Sequence, residues 1–224
     1  MARAIAVLRP EPANRVTAAA IEARGRRAIR LPLFKAGPVA WDAPDPADFD
    51  ALIITSTNAL RHGGAGLARL IGLPLYTVGP ASAEAGRRMG FHLAGTGCAG
   101  SAELLTLAEA AGVRRALHLA GRERTVMPGG IVAEIITVYA SDTVPVSPEQ
   151  MAKLRGSVAL VQSARAGARL AELIADRPND RASIAIAAIS PAAAQAAGSG
   201  WERIVTAASV DSEALIDAAI ALAD

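Results

Sequence analysis

The stretch Leu75-Tyr-Thr-Val-Gly-Pro-Ala-Ser-Ala-Glu-Ala-Gly-Arg-Arg-Met-Gly90 constrains the fold most, because it holds a complete strand, turn and helix start. Leu75 to Val78 is apolar with β-branched members, and Gly79-Pro80 ends it before a run of small, helix-forming residues. Proline suits the first turn of a helix, where an N–H would have had no partner in any case. A helix start offers unpaired N–H groups and partial positive charge, and Ser82 adds a hydroxyl, so anionic groups are favoured there. The unit returns near the C-terminus, with Ser190-Pro191 in place of Gly79-Pro80. A strand ending in serine precedes each copy, Leu52 to Ser56 and Val158 to Ser163. Ser56 to Ser163 is 107 residues, Pro80 to Pro191 is 111 and Phe91 to Trp201 is 110, so a shift near 110 superposes two halves of the chain. Two similar domains are expected.

Composition narrows the class. With 224 residues, 52% of them hydrophobic, the chain can bury one large core or two small ones. Aromatic residues make up only 3%, too few for base-stacking platforms, and the net charge of +2 requires no basic polymer-binding face, so no nucleic-acid partner is expected. Of 23 basic residues only Lys35 and Lys153 are lysine, which deprives arginine abundance of functional meaning. Cys98 is the single cysteine, and His62, His92 and His118 lack ligand spacing, so neither an internal disulfide nor a metal site is expected. No apolar run approaches the ~18 residues of a membrane span, and Arg9-Pro10 interrupts the only N-terminal one. A cytoplasmic protein without membrane association is expected, and a monomer.

In chain order, Arg3 to Leu8 reads as a buried strand, Asn14 as the cap of a helix from about Arg15 to Ala23, and Arg27 to Phe34 as a second strand. Arg9, at the carboxyl end of the first strand, is a candidate anion contact, since open α/β sheets bind ligands there. Lys35 to Asp50, rich in Pro, Gly and acids, reads as a crossing linker. Phe49 to Ile54 is a strand, and Thr55-Ser56-Thr57-Asn58 supplies hydroxyls and a helix cap. Phe91 to Leu93 reads as a strand, Ser101 onward as a capped helix, and Arg115 to Ala120 as a strand. The following loop offers Arg122 or Arg124 to carboxylates. Pro128 to Ala133 suggests a short helical piece, Glu134 to Tyr139 a strand, and Ala140 to Pro148 a second linker. Two linkers imply a discontinuous domain, 1–34 with 146–224, and an inserted domain, 35–145. Each would be a parallel α/β sheet flanked by helices, with a cleft beside the linkers.

Taken together, Arg9-Pro10, Leu31-Pro32-Leu33, Ile53 to Ala59, Val78 to Ala83, Val138-Tyr139, Val161-Gln-Ser163 and Ile189-Ser-Pro191 resemble, in order and spacing, the uroporphyrinogen-III synthase family of tetrapyrrole and haem biosynthesis. The resemblance implies a lyase without metal or organic cofactor. Its reaction cyclises and dehydrates hydroxymethylbilane, a linear tetrapyrrole with eight carboxylates, into uroporphyrinogen III with the terminal ring inverted. Tyr139 matches the tyrosine that assists the leaving hydroxyl. Arg9, Ser56, Thr57, Asn58, Gly79, Ser82, Arg122, Ser163, Ser190 and Pro191 become candidate substrate contacts. Leu8 stands where the family has a threonine, Ser190 where it has glycine, and Ala192-Ala193 where it has hydroxyl residues, which weakens the C-terminal share of binding. The alternative from another class is a non-catalytic two-domain small-anion binding or regulatory module, favoured by the lack of any Ser-His-Asp order or paired carboxylates.

Overall fold

The structure, a computed structural model, describes residues 2–224. In chain order the elements are β1 (Ile5–Val7), α1 (Ala13–Glu22), β2 (Ala28–Arg30), β3 (Phe34–Pro38), β4 (Ala51–Ile54), α2 (Thr57–His62), β5 (Leu75–Val78), α3 (Pro80–Arg88), β6 (Leu93–Gly97) and α4 (Ser101–Ala110). There follow β7 (Ala116–Gly121), β8 (Val132–Thr143), α5 (Pro148–Ala152), β9 (Val158–Val161), α6 (Ala164–Leu173), α7 (Pro178–Arg181), β10 (Ala185–Ala188), α8 (Pro191–Ala197), β11 (Arg203–Thr206) and α9 (Ser212–Ala223). The chain forms two compact units. One runs to Lys35 and resumes at Thr143; the other is Ala36–Asp142.

The first unit holds a parallel sheet in the order β11-β10-β9-β1-β2. Its central strands are buried on both faces, which is why they read as unbroken apolar runs. Alternation along each strand sends Ala6 and Leu8 into one cluster with Leu170 of α6 and Ala193 of α8, and Ile5 and Val7 into another with Ile21 of α1 and Leu215 of α9. Each such isoleucine or leucine, fully buried, contributes about 1.5–3 kcal/mol over its exposed state.

The second unit holds a sheet in the order β3-β8-β7-β4-β5-β6, parallel from β8 to β6. Leu52 and Ile54 face a cluster with Leu60 of α2 and Leu70; Ala51 and Ile53 face the opposite one with Leu104 and Ala108 of α4. No helix joins β7 to β8. Val126 and Ile131 of the connecting loop cover the sheet there instead.

Four local readings are corrected. Asn14 does not cap α1: the helix starts at Ala13 behind Pro12, and the Asn14 side chain turns inward, Nδ2 donating to Val7 O at 2.7 Å and Arg9 O at 3.0 Å. Those carbonyls lie at a strand end, where the asparagine amide supplies the missing donor. Pro128 to Ala133 is not helical, because Gly129 (φ 133°) and Gly130 (φ 57°) turn the chain in conformations a helix cannot use. The expected strand at Phe91 begins two residues later, at Leu93, after Phe91 has packed into the core. Neither presumed linker is structureless. Phe34–Pro38 and the far end of Val132–Thr143 are strands, the former at a sheet edge where Pro38 costs no interior ladder bond.

Candidate functional site

Parallel strands deliver their loops to one end of a sheet, and in the second unit those loops line an open pocket of about 430 Å³. Thr55 and Ser56 line it from the end of β4, Val78 from β5, Gly100 and Ser101 from the start of α4, Gly121, Glu123, Arg124 and Thr125 from β7 and its loop, and Tyr139 from β8. Hydroxyl residues therefore predominate in its polar lining, with one acidic residue, Glu123, one basic residue, Arg124, and the start of α4 beside them.

Tyr139 reaches this pocket because Gly121 has no side chain. The two residues face each other across β7 and β8, and a Cβ on Gly121 would lie 2.7 Å from Tyr139 Cζ and 2.8 Å from its Oη. The phenol thus lies against bare backbone. Arg122 N–H donates to Tyr139 O at 3.0 Å, and the His62 ring stands 6.4 Å from the Tyr139 ring. Arg124 is held at the rim, its Nη1 donating to Gly121 O at 3.2 Å and Thr137 Oγ1 at 3.0 Å. Behind Thr55 lies His118, fully buried, with Nε2 3.2 Å from Thr55 Oγ1. Burial, with a smaller contribution from the Arg124 charge, pushes the His118 pKa down to about 4, so the ring is neutral at neutral pH.

Of the candidate contacts named from the sequence, Ser56 and Tyr139 share this pocket, and so does Arg124, the alternative to Arg122 in its loop. Ser56 also caps α2, accepting from Asn58 N at 3.3 Å. Thr57 and Ser82 hydroxyls bond each other at 3.1 Å, and Ser82 is buried, so its hydroxyl joins α2 to α3. The Asn58 side chain accepts from Arg61. Gly79, at φ 76°, precedes Pro80 at the start of α3, an end with no side-chain cap. Arg122 pairs with Asp142 at 2.6 Å on the exposed surface, outside the pocket. In the first unit, Arg9 is half-buried, which lowers its pKa, with Nη1 3.5 Å from Thr17 Oγ1. Ser163 and Ser190 cap α6 and α8 through Ala166 N (3.1 Å) and Ala193 N (3.3 Å), and Pro191 opens α8.

Thr55, Ser101, Thr125 and His118 were not singled out as site residues. Ser101 carried a usable signal, since it starts a helix after a strand. His118 carried none, because its partner is 63 residues away.

The fold and its strand-end pocket define an α/β protein built from two sheets of parallel strands. The sequence family described as Uroporphyrinogen-III synthase HemD matches residues 15–217. The chain belongs to this family, cyclising lyases of porphyrin and haem biosynthesis that act on hydroxymethylbilane. Among solved structures it is similar to the uroporphyrinogen-III synthetase of Helicobacter pylori, at 17% identity and TM-score 0.68, covering 99% of this chain and 100% of that one. It is also similar to a mutant uroporphyrinogen III synthase of the extremely thermophilic bacterium Thermus thermophilus, at 15% identity and TM-score 0.54, covering 97% of this chain and 96% of that one. No curated protein matches the sequence. Among the described residues no helix is long and apolar enough to cross a membrane.

Proposed function

We propose that, in the reaction of this family, the pocket of the second unit receives the reacting end of hydroxymethylbilane and Tyr139 assists departure of its hydroxyl. The observation that carries the proposal is the Tyr139 phenol, laid across Gly121 in a pocket ringed by Thr55, Ser56, Ser101 and Arg124. The pyrrole nitrogen pushes out the terminal hydroxyl, which takes up a proton from the phenol or from solvent and leaves as water, and an azafulvene cation remains. A phenol hydrogen-bonded to that oxygen stabilises the departing group. The last ring is then attacked at its substituted carbon, and re-closure through a spiro intermediate inverts it. The linear substrate also closes spontaneously without inversion, so control of its conformation is the protein's larger task.

In this reading the two compact units are two domains. Main-chain N–H groups at the starts of α2, α3, α6 and α8 take substrate carboxylates, with Ser56, Thr57, Asn58, Gly79, Ser82, Ser163, Ser190 and Pro191 near them and Arg9 and Arg122 secondary. The uncapped start of α3 supports this for the second unit. The protein acts in the cytoplasm, where the exposed thiol of Cys98 stays reduced.

The test is single-turnover conversion of enzymatically generated hydroxymethylbilane with isomer analysis. Uroporphyrinogen III is the expected product, whereas the uninverted isomer alone would make the protein a binding module. Loss of one well-placed donor costs about 10²–10³ in rate, and the push from the pyrrole nitrogen sets Tyr139→Phe at or below that range. Its product remains isomer III. An unchanged rate in a stably folded Tyr139→Phe removes the phenol from the mechanism.

A further inference from the structure

A histidine sits where the fold asks for an apolar side chain. His118 is in the middle of β7, on the face that Ile53, Leu104, Val126 and Ile131 fill, and it has no solvent exposure. Ile53 and Ile135 are its register neighbours on either side. Its one hydrogen bond joins Nε2 to Thr55 Oγ1, and Thr55 lines the pocket. Its Nδ1 is buried without a partner among the described residues.

A neutral imidazole carries one N–H and one bare nitrogen. With the proton on Nδ1, a buried N–H would be orphaned; with the proton on Nε2, only a lone pair is. Orphaned buried donors are the rarer and costlier case, so the second tautomer is preferred. We infer that His118 is a positioning residue whose Nε2–H donates to Thr55 Oγ1, so that the Thr55 hydroxyl proton is committed to the pocket as a donor to a substrate carboxylate. With Nδ1–H instead, Thr55 would spend its proton on the imidazole and present the pocket with an acceptor, which a carboxylate would avoid. The low proton affinity of the buried ring serves the same end, since an imidazolium is not needed to hold Thr55 in this role.

The tautomer is read by two-bond ¹H–¹⁵N correlation on protein with labelled histidine, His118 being assigned among three histidines by its loss in His118→Gln. A neutral Nε2–H ring that does not titrate above pH ~5 supports the inference; an Nδ1–H ring, or titration near the ordinary pH of ~6.5, overturns it. The kinetic arm, which alone rests on the proposed function, measures kcat/KM for hydroxymethylbilane. Thr55→Val and His118→Leu are each expected to lose about tenfold, mainly in KM, and the double variant no more than either, with His118→Gln restored to within about threefold. A double variant near a hundredfold, the product of the two singles, would mean that His118 does not act through Thr55. Should the wild type form only the uninverted isomer, the proposed function fails while the tautomer measurement still decides this inference. The same measurement decides it if His118→Leu does not fold.

Discussion

The two units share a strand plan and differ where their loops end. Reading β11-β10-β9-β1-β2 against β6-β5-β4-β7-β8 pairs the strands one to one. The ladders fix the correspondence by residue, since Val158 faces Ile5 in one sheet as Ala51 faces Ala116 in the other. A shift of 107 along β4 and β9, and of 111 elsewhere, then matches the helix starts. Ser190 of the first unit becomes Gly79 in the second, and Asp211 becomes Gly100. In the first unit both side chains cap their own helices, Ser190 through Ala193 N and Asp211 through Ala214 N. In the second both positions are glycine with positive φ, 76° and 110°, and neither helix has a side-chain cap. At these two matched positions the first unit satisfies its helix ends with its own side chains, whereas the second, which caps α2 with Ser56, leaves α3 and α4 without a side-chain cap.

The connection after the matched strands β1 and β7 differs in the same sense. In the first unit α1 lies between β1 and β2; in the second a loop joins β7 to β8, and it is this loop that contributes Glu123, Arg124 and Thr125 to the pocket. Behind it His118 replaces Val7, and Thr55 replaces Gln162, whose buried amide has no hydrogen-bond partner among the described residues. A common scaffold carries chemistry by local departures of this kind, which is why the first unit serves as an internal reference for the second.

The largest expected effect comes from erasing the gap under Tyr139. Gly121 matches Pro10, so the scaffold itself tolerates a side chain there. In the second unit an added Cβ meets the phenol at 2.7 Å and the ring must move. A displacement on the order of 1 Å at a reacting centre costs about 10² in rate, so Gly121→Ala should slow single turnover by about 10² or more while isomer III remains the product. Adding Tyr139→Phe should deepen the loss little. A Gly121→Ala rate equal to wild type would sever the pocket geometry from the reaction.

Next in size is acid sensitivity. Because the folded-state pKa of His118 is about 4 against an ordinary 6.5, the unfolded chain binds the proton more readily. Its contribution is fully present above pH ~6.5 and is lost as pH falls toward ~4, a loss bounded by about 3 kcal/mol. His62, lowered by burial and then by the Arg61 charge, acts in the same direction. Urea denaturation at pH 7 and pH 4.5 should therefore show His118→Leu losing less stability than wild type, bringing β7 closer to β1 with its Val7. Parallel losses in the two proteins would assign the sensitivity elsewhere.

Much of this plan was legible in the sequence, and the reasons differ by element. Central strands such as Val158–Val161 and Ala51–Ile54 announce themselves because burial on both faces demands unbroken apolar runs. Edge segments do not. Phe34–Pro38 carries Lys, Gly and Pro and looks like a linker, yet it pairs along one side only, which its composition permits. At the site, Ser56 stood out because it ends a strand pattern, and Tyr139 because it matches the tyrosine of the family that the sequence resembles. Arg124 was indistinguishable from Arg122 by position alone, and only the fold separates the arginine at the pocket from the one paired with Asp142. His118 and Thr55 are joined across neighbouring strands, a relation that no local spacing encodes.

The smallest effect concerns a cap. Ser190 Oγ accepts from Ala193 N at 3.3 Å, so its hydroxyl is engaged by α8 before any ligand arrives. Removing such an oxygen from an N-cap typically costs about 1 kcal/mol, since a helix N–H loses its partner. Ser190→Ala should therefore lower stability by about that amount in urea denaturation. Its effect on KM for hydroxymethylbilane should be smaller than the tenfold that ~1.4 kcal/mol would produce. The comparison of the units demands this asymmetry, because the matching residue Gly79 has no side chain to cap α3 and leaves that helix end open. If Ser190→Ala instead raised KM tenfold with unchanged stability, the hydroxyl would be facing substrate. The first unit would then share the binding that the glycine starts of α3 and α4 reserve for the second.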